Sequence, residues 1–161
     1  MSEVSVQTSV RAPVERVFAS WNDEFQDIYK FNPGLSHSHI LQDSPSSSGK
    51  GALRQCDMKD GKNWIREKVI GYQKNKQLVI DVYDSTMPVK SAMGTLDFGS
   101  DGPNQTSVRM TMQFEPKMGI LGKLMIPMMK KQFASMLQEL LDGNAAYVES
   151  GTQANETLTA A

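Results

Sequence analysis

Arg54 and Glu67, on either side of an Asp60-Gly61 step, are the residues of this sequence best suited to chemistry in a pocket. A two-residue type I′ turn needs positive φ at both central positions, which Asp-Gly supplies, so the step predicts a hairpin with Lys59 facing Lys62. Counting back from the turn sets Cys56 opposite Ile65, Arg54 opposite Glu67 and Ala52 opposite Val69 on one face. The other face takes Asp57 with Trp64, Gln55 with Arg66 and Leu53 with Lys68, the more polar set and the one expected to meet solvent. Arg54 and Glu67 then point inward among apolar neighbours. A Lys74-Asn75 turn extends the reading, with Val69 meeting Ile80 and Glu67 meeting Val82 inside while Lys68 meets Asp81 outside. An inward ion pair adds little net stability, because desolvating two charges offsets their attraction. It can orient the polar end of a ligand or exchange a proton with it. The plainer alternative is a pair that snorkels to the rim or bonds backbone groups.

His37 and His39 lie two apart in an extended stretch, so both rings project from one face, alongside Leu35 and Leu41. Two imidazoles could begin a metal site, but zinc wants three or four protein ligands, and the chain has no third histidine and a single cysteine, Cys56. No metal is expected; the pair reads as a pocket mouth that bonds water or a ligand carbonyl. Seven methionines (Met93, Met110, Met112, Met125, Met128, Met129 and Met136) fall in the strands and helix that should face one another. Methionine repacks at low cost, which suits a cavity that accepts several shapes, although a soft core would use it too. The expected lining is completed by Ile65, Ile80, Val82, Phe114 and Phe133. The sequence has no Ser-His-Asp order, phosphate-cradling glycine loop or dinucleotide fingerprint, and no cofactor is expected.

These side chains need elements to hold them. Val4, Val6, Thr8 and Val10 alternate with polar residues, the period of a half-buried strand. Pro13 suits a helix start, and Val14, Val17, Phe18 and Trp21 follow at helical spacing. A second short helix over 23–29 should turn Phe25, Ile28 and Tyr29 inward and end at Asn32-Pro33-Gly34. About six strands follow between Leu35 and Phe114, the last placing Val108, Met110, Met112 and Phe114 on one face. Beyond Pro116 the period changes: Leu121, Leu124, Met125, Met128, Phe133, Met136, Leu137, Leu140 and Leu141 mark one broad face of a helix to about Tyr147. Pro127 should kink that helix or mark its true start. The polar, small residues 149–161 read as a disordered tail. The resulting class is α+β: a curved antiparallel sheet of about seven strands, two short helices, and one long carboxyl-terminal helix as the element able to cover the sheet.

Composition excludes several alternatives. Seventeen basic residues against eighteen acidic ones give a net charge of −1, without the basic excess that phosphate contacts require, so nucleic acid is not an expected partner. A single cysteine excludes an internal disulfide and suits a reducing compartment. The amino-terminal residues lack the basic and apolar regions of a secretory signal, and no stretch approaches the roughly 20 apolar residues of a membrane span. A cytoplasmic protein, monomeric or weakly dimeric, is the expectation. Lys123, Lys130 and Lys131 beside apolar residues allow at most a transient touch on an anionic membrane, and otherwise form a solvated face.

The order of elements resembles the START-like, polyketide cyclase/dehydrase and lipid-transport superfamily (SRPBCC), the helix-grip fold also seen in pollen-allergen-like plant proteins. The resemblance is carried by VSVQTSVRAPVERVFASW, FNPG, the stretch from Gly51 through DGKNWIREKV, MPV at Met87–Val89, and FEP before the long helix. It implies a helix-grip domain over residues 1–148 with a hydrophobic cavity between sheet and helix, and members that mostly bind lipids, steroids, hormones or polyketides. The leading expectation is binding, and transport, of such a molecule. The alternative is a cyclase or dehydratase in which Glu67 acts as acid or base, Arg54 stabilises negative charge, and His37 or His39 assists. A third reading is a protein-interaction module without a ligand.

Overall fold

The computed structural model describes residues 1–117 and 119–154. Strand β1 (Ser2–Val10) buries alternate residues, as its composition dictates. Helix α1 (Val14–Asn22) starts on Pro13, whose carbonyl accepts the N–H groups of Arg16 and Val17, and it buries Val17, Phe18 and Trp21. The next turn, Phe25–Lys30, is a 3₁₀-helix rather than the expected α-helix. Its bonds span three residues, as in Asp27 N–H to Glu24 O and Phe31 N–H to Ile28 O, the spacing common in short connecting turns. Phe25 and Ile28 still face the core.

Six further strands follow: β2 (Leu35–Ile40), β3 (Leu53–Met58), β4 (Trp64–Gln73), β5 (Gln77–Ser85), β6 (Val89–Gly102) and β7 (Gln105–Pro116). With β1 they form a seven-stranded antiparallel sheet in the order β1-β7-β6-β5-β4-β3-β2. The β3–β4 register is the expected one, with Arg54 opposite Glu67 and Cys56 opposite Ile65. The turn that closes it is different. Instead of a type I′ turn, a loop over 59–63 forms, in which Asp60 Oδ1 accepts the N–H groups of both Lys62 and Asn63 at 2.8 Å. Gly61 alone takes positive φ there, because the aspartate side chain binds the following backbone instead of entering the left-handed region itself.

The β4–β5 hairpin reaches the expected pairs by another route. Its loop has three residues, Lys74 to Lys76, with Asn75 at φ 60°. That slips the register by one residue near the turn. A bulge at Ile70 restores it, so that Val69 meets Ile80 and Glu67 meets Val82.

Two helices follow the sheet, α2 (Gly119–Leu124) and α3 (Ile126–Ser150), with Pro127 in the first turn of α3. This corrects the single apolar face read from the sequence: Leu121, Leu124, Met125 and Met128 are exposed, whereas Leu137, Leu140 and Leu141 are buried. Proline cannot continue a preceding helix, so the phase of α2 is independent of that of α3. α2 packs instead through Gly122, where a Cβ would collide with the Lys117 carbonyl.

The carboxyl-terminal half of α3 is clamped onto α1. Buried Asn144 accepts the indole N–H of Trp21 at 3.1 Å and donates to Ser20 Oγ at 3.0 Å. Gly143 lies against the Phe31 carbonyl, a contact that leaves no room for a Cβ. The helix ends on Gly151 at φ 71°, and Ala154 N–H bonds Lys30 O at 2.8 Å. The tail expected to be disordered therefore begins in helix at Glu149 and Ser150; its residues 155–161 lie outside the described residues. Among the described residues no helix is long and apolar enough to cross a membrane.

Candidate functional site

Alternation along β3 sends Ala52, Arg54 and Cys56 to the concave side, and Arg54 is only 2% exposed. Its Nε donates to Glu67 Oε2 at 2.6 Å and its Nη1 to the Phe25 carbonyl at 2.8 Å. The guanidinium lies 3.9 Å from the centre of the Phe25 ring, a cation–π contact in an apolar setting. The pair is thus inward, and half of the plainer alternative also holds, since Arg54 bonds backbone and ties β3 to the 3₁₀-helix. Glu67 sits beside a second bulge, at Tyr83 of β5, which re-aims the strand at this point.

Cys56 completes the cluster, its Sγ–H donating to the same Glu67 oxygen at 3.4 Å. Burial pushes its thiol well above the ordinary value, and the neighbouring carboxylate adds to the shift. Burial acts to lower the Arg54 pKa, but the Glu67 carboxylate outweighs it and the net shift is upward; a guanidinium is too basic to lose its proton in either case. A protonated thiol, a fixed cation and a carboxylate in one apolar wall can bind and orient a polar group; the thiol is not a nucleophile in this state.

The wall belongs to a cavity of about 150 Å³ between the sheet and α3. Arg54, Glu67, Ile65, Ile80, Val82, Met110, Met112 and Met136 line it. Met93 borders it between Ala92 and Gly94, but its pairing with Asp81 and Gln113 turns its side chain to the other face of the sheet, a correction to the expected lining. Phe114, Met129 and Phe133 do not line it: they pack with Ala92 in a separate cluster, the two phenyl rings 4.8 Å apart and edge to face. Met125 is turned to solvent by the break before α3. The sequence reading omitted Trp21, Ile28, Leu35, Cys56, Met58, Leu137 and Leu140 from the lining, although their apolar spacing had already marked several as inward. Nothing in the sequence signals Asn32 as lining; its Oδ1 accepts the Gly34 N–H at 2.9 Å, and both residues border the cavity.

His37 and His39 are a correction. A bulge between Leu35 and His37 reverses the alternation of β2, so that Leu35 and Ser38 are buried while the histidines pair with Asp57 and Gln55 outside the cavity. Their rings stack on each other at 5.7 Å, with Tyr29 beside His37. Among the described residues no group of three or more His, Cys, Asp or Glu side chains is placed to hold a metal. A larger hollow of about 550 Å³, lined by Met1, Lys90, Lys117 and Ile126, opens at the far end of β7. It is a surface cleft, separated from the ion pair by the Phe114 cluster.

Several solved structures share this architecture. A START superfamily protein from Mycobacterium smegmatis superposes with a TM-score of 0.77 at 20% identity, over 93% of this chain and 99% of that one. TTHA0849 from Thermus thermophilus gives 0.72 at 18% identity, over 91% and 97%. Norcoclaurine synthase from Thalictrum flavum, in complex with dopamine and hydroxybenzaldehyde, gives 0.67 at 13% identity, over 91% and 86%. At such identities the likeness is one of fold. No curated protein matches the sequence. The family model for polyketide cyclase / dehydrase and lipid transport does match, across residues 1–149, and that span of shared sequence pattern, laid over a helix-grip sheet and a cavity closed by α3, makes the chain a member of that family.

Proposed function

We propose that the protein binds a small, largely apolar molecule in the cavity under α3, with the Arg54–Glu67 pair orienting its polar end. The observation that carries this reading is an ion pair buried in the wall of an otherwise apolar cavity, where it contributes little to stability but offers fixed polar atoms to a ligand. A volume of about 150 Å³ suits a single aromatic ring with short substituents and is too small for a steroid without repacking. The complex of norcoclaurine synthase with dopamine and hydroxybenzaldehyde supports ligands of that size in this fold.

Extraction of the purified protein and mass spectrometry test the proposal. A reproducible apolar species is expected, whose affinity falls about tenfold in Glu67→Gln if it carries a hydrogen-bonding group. Repeated recovery of nothing apolar, with no binding of any monocyclic phenol, would overturn it. A second reading, proton transfer by Glu67 in a cyclase or dehydratase reaction, is favoured by the family and by a carboxylate in an apolar wall. Its signature is turnover abolished by Glu67→Gln while binding persists.

A further inference from the structure

Ile120, Leu121 and Leu124 of α2 are 79%, 63% and 75% exposed, and Met125 and Met128 beside them stand about half in solvent. Scattered apolar residues on a surface need no explanation, but a contiguous set rimmed by charge marks a contact surface. The rim is mostly basic, with Glu115 near Lys117 and Lys123 and Glu139 near Lys131 as the carboxylates at its edges. Lys117, Lys123, Lys130 and Lys131 are all exposed, and no Asp or Glu occurs from 117 to 138, in a chain whose net charge is −1. No ion pair among the described residues engages these lysines.

We propose that α2 and the first turns of α3 form a docking surface for an anionic lipid bilayer. Ile120, Leu121 and Leu124 enter the boundary between headgroups and acyl chains, and the four lysines lie among the headgroups. The alternatives satisfy half of the surface each. A two-fold contact between copies would bring the lysines of one copy against those of the other. A nucleic acid would neutralise the lysines but leave three large apolar side chains against phosphate. A bilayer takes both. The surface also lies close to the cavity, since the Phe114 cluster that separates them shares Val82, Ala92 and Met112 with the cavity wall. Docking does not depend on what the cavity holds, so this proposal and the ligand proposal fail separately.

Flotation of the full chain with phosphatidylcholine vesicles, with and without about one-third phosphatidylglycerol, is the test. Binding at least about tenfold tighter to the anionic vesicles is expected, weakened by about 0.5 M salt as the Debye length shrinks. L121S/L124S and K130E/K131E should each weaken it about tenfold while their thermal unfolding matches the parent, because the altered side chains are exposed. Equal or absent binding to the two vesicles, or full binding by L121S/L124S, would overturn the proposal. So would self-association by light scattering that L121S/L124S abolishes, which would assign the surface to a second copy.

Discussion

Arg54 keeps its charge when its partner is removed, and that fixes what Glu67→Gln must do to the folded protein. An unpaired guanidinium would be left in a wall that is otherwise apolar, a loss of about 3 kcal/mol. Arg54→Met should cost a similar amount, because it strands the Phe25 carbonyl as well as the carboxylate. The double change removes both charges and should cost clearly less than the sum of the two, by about 2 kcal/mol in a denaturation cycle. Additive costs would mean that the two side chains do not depend on each other. Period-two counting was enough to find this pair, because inward register needs only a turn and an alternating pattern. The same counting misplaced His37 and His39. A bulge at Ser36 adds one residue to β2, and nothing in Leu35-Ser36-His37 distinguishes a bulged strand from a regular one.

The end of α3 is held by titrating groups as well as by packing. Tyr147 donates to Glu24 Oε1 at 2.6 Å, and Arg16 pairs with Glu24 Oε2 at 2.6 Å. Burial and the bond to Glu24 push the tyrosine up to about 12. A folded value above the ordinary 10 means that this contribution is complete below pH 10 and is lost as pH rises toward 12. Burial acts to raise Glu24, but the bonds from Tyr147 and Arg16 outweigh it and lower its pKa, so its contribution is complete above the ordinary 4.5 and is lost under stronger acid. Both groups are partly open to solvent and the effects should be small. Tyr147→Phe should flatten the alkaline fall in stability between pH 10 and 12, as read by urea midpoints, and should also lessen the acid fall, because Glu24 loses one of the bonds that lower its pKa. Among the elements, the number of strands followed from local pattern and Pro127 proved to be a helix start rather than a kink, whereas the β4–β5 register was reached through two errors that cancel, a longer turn and the bulge at Ile70. The outward apolar side of α2 was not legible, because its packing rests on Gly122 and on the phase break at Pro127, neither of which a periodicity count weighs.

For the molecule as a whole, the family and the helix-grip architecture could be read from the order of motifs, but the size of the hollow could not. Volume depends on how far each side chain from α3 reaches toward the sheet, and a few methyl groups decide it. The prediction at this scale is a size series. Monocyclic phenols near saturation should raise the unfolding temperature by about 5 °C, and a steroid should raise it little, because entry would require Leu137 and Leu140 to repack. A larger shift with the steroid would show that the cavity expands on binding. Four of the eleven methionines, Met58, Met110, Met112 and Met136, turn their side chains to this space, and Met136 is 41% exposed. Peroxide would convert their thioethers to strongly polar sulfoxides, beginning at Met136. Occupancy of the hollow would then follow redox history: oxidant would erase affinity, and sulfoxide reductases would restore it without any new synthesis of the chain.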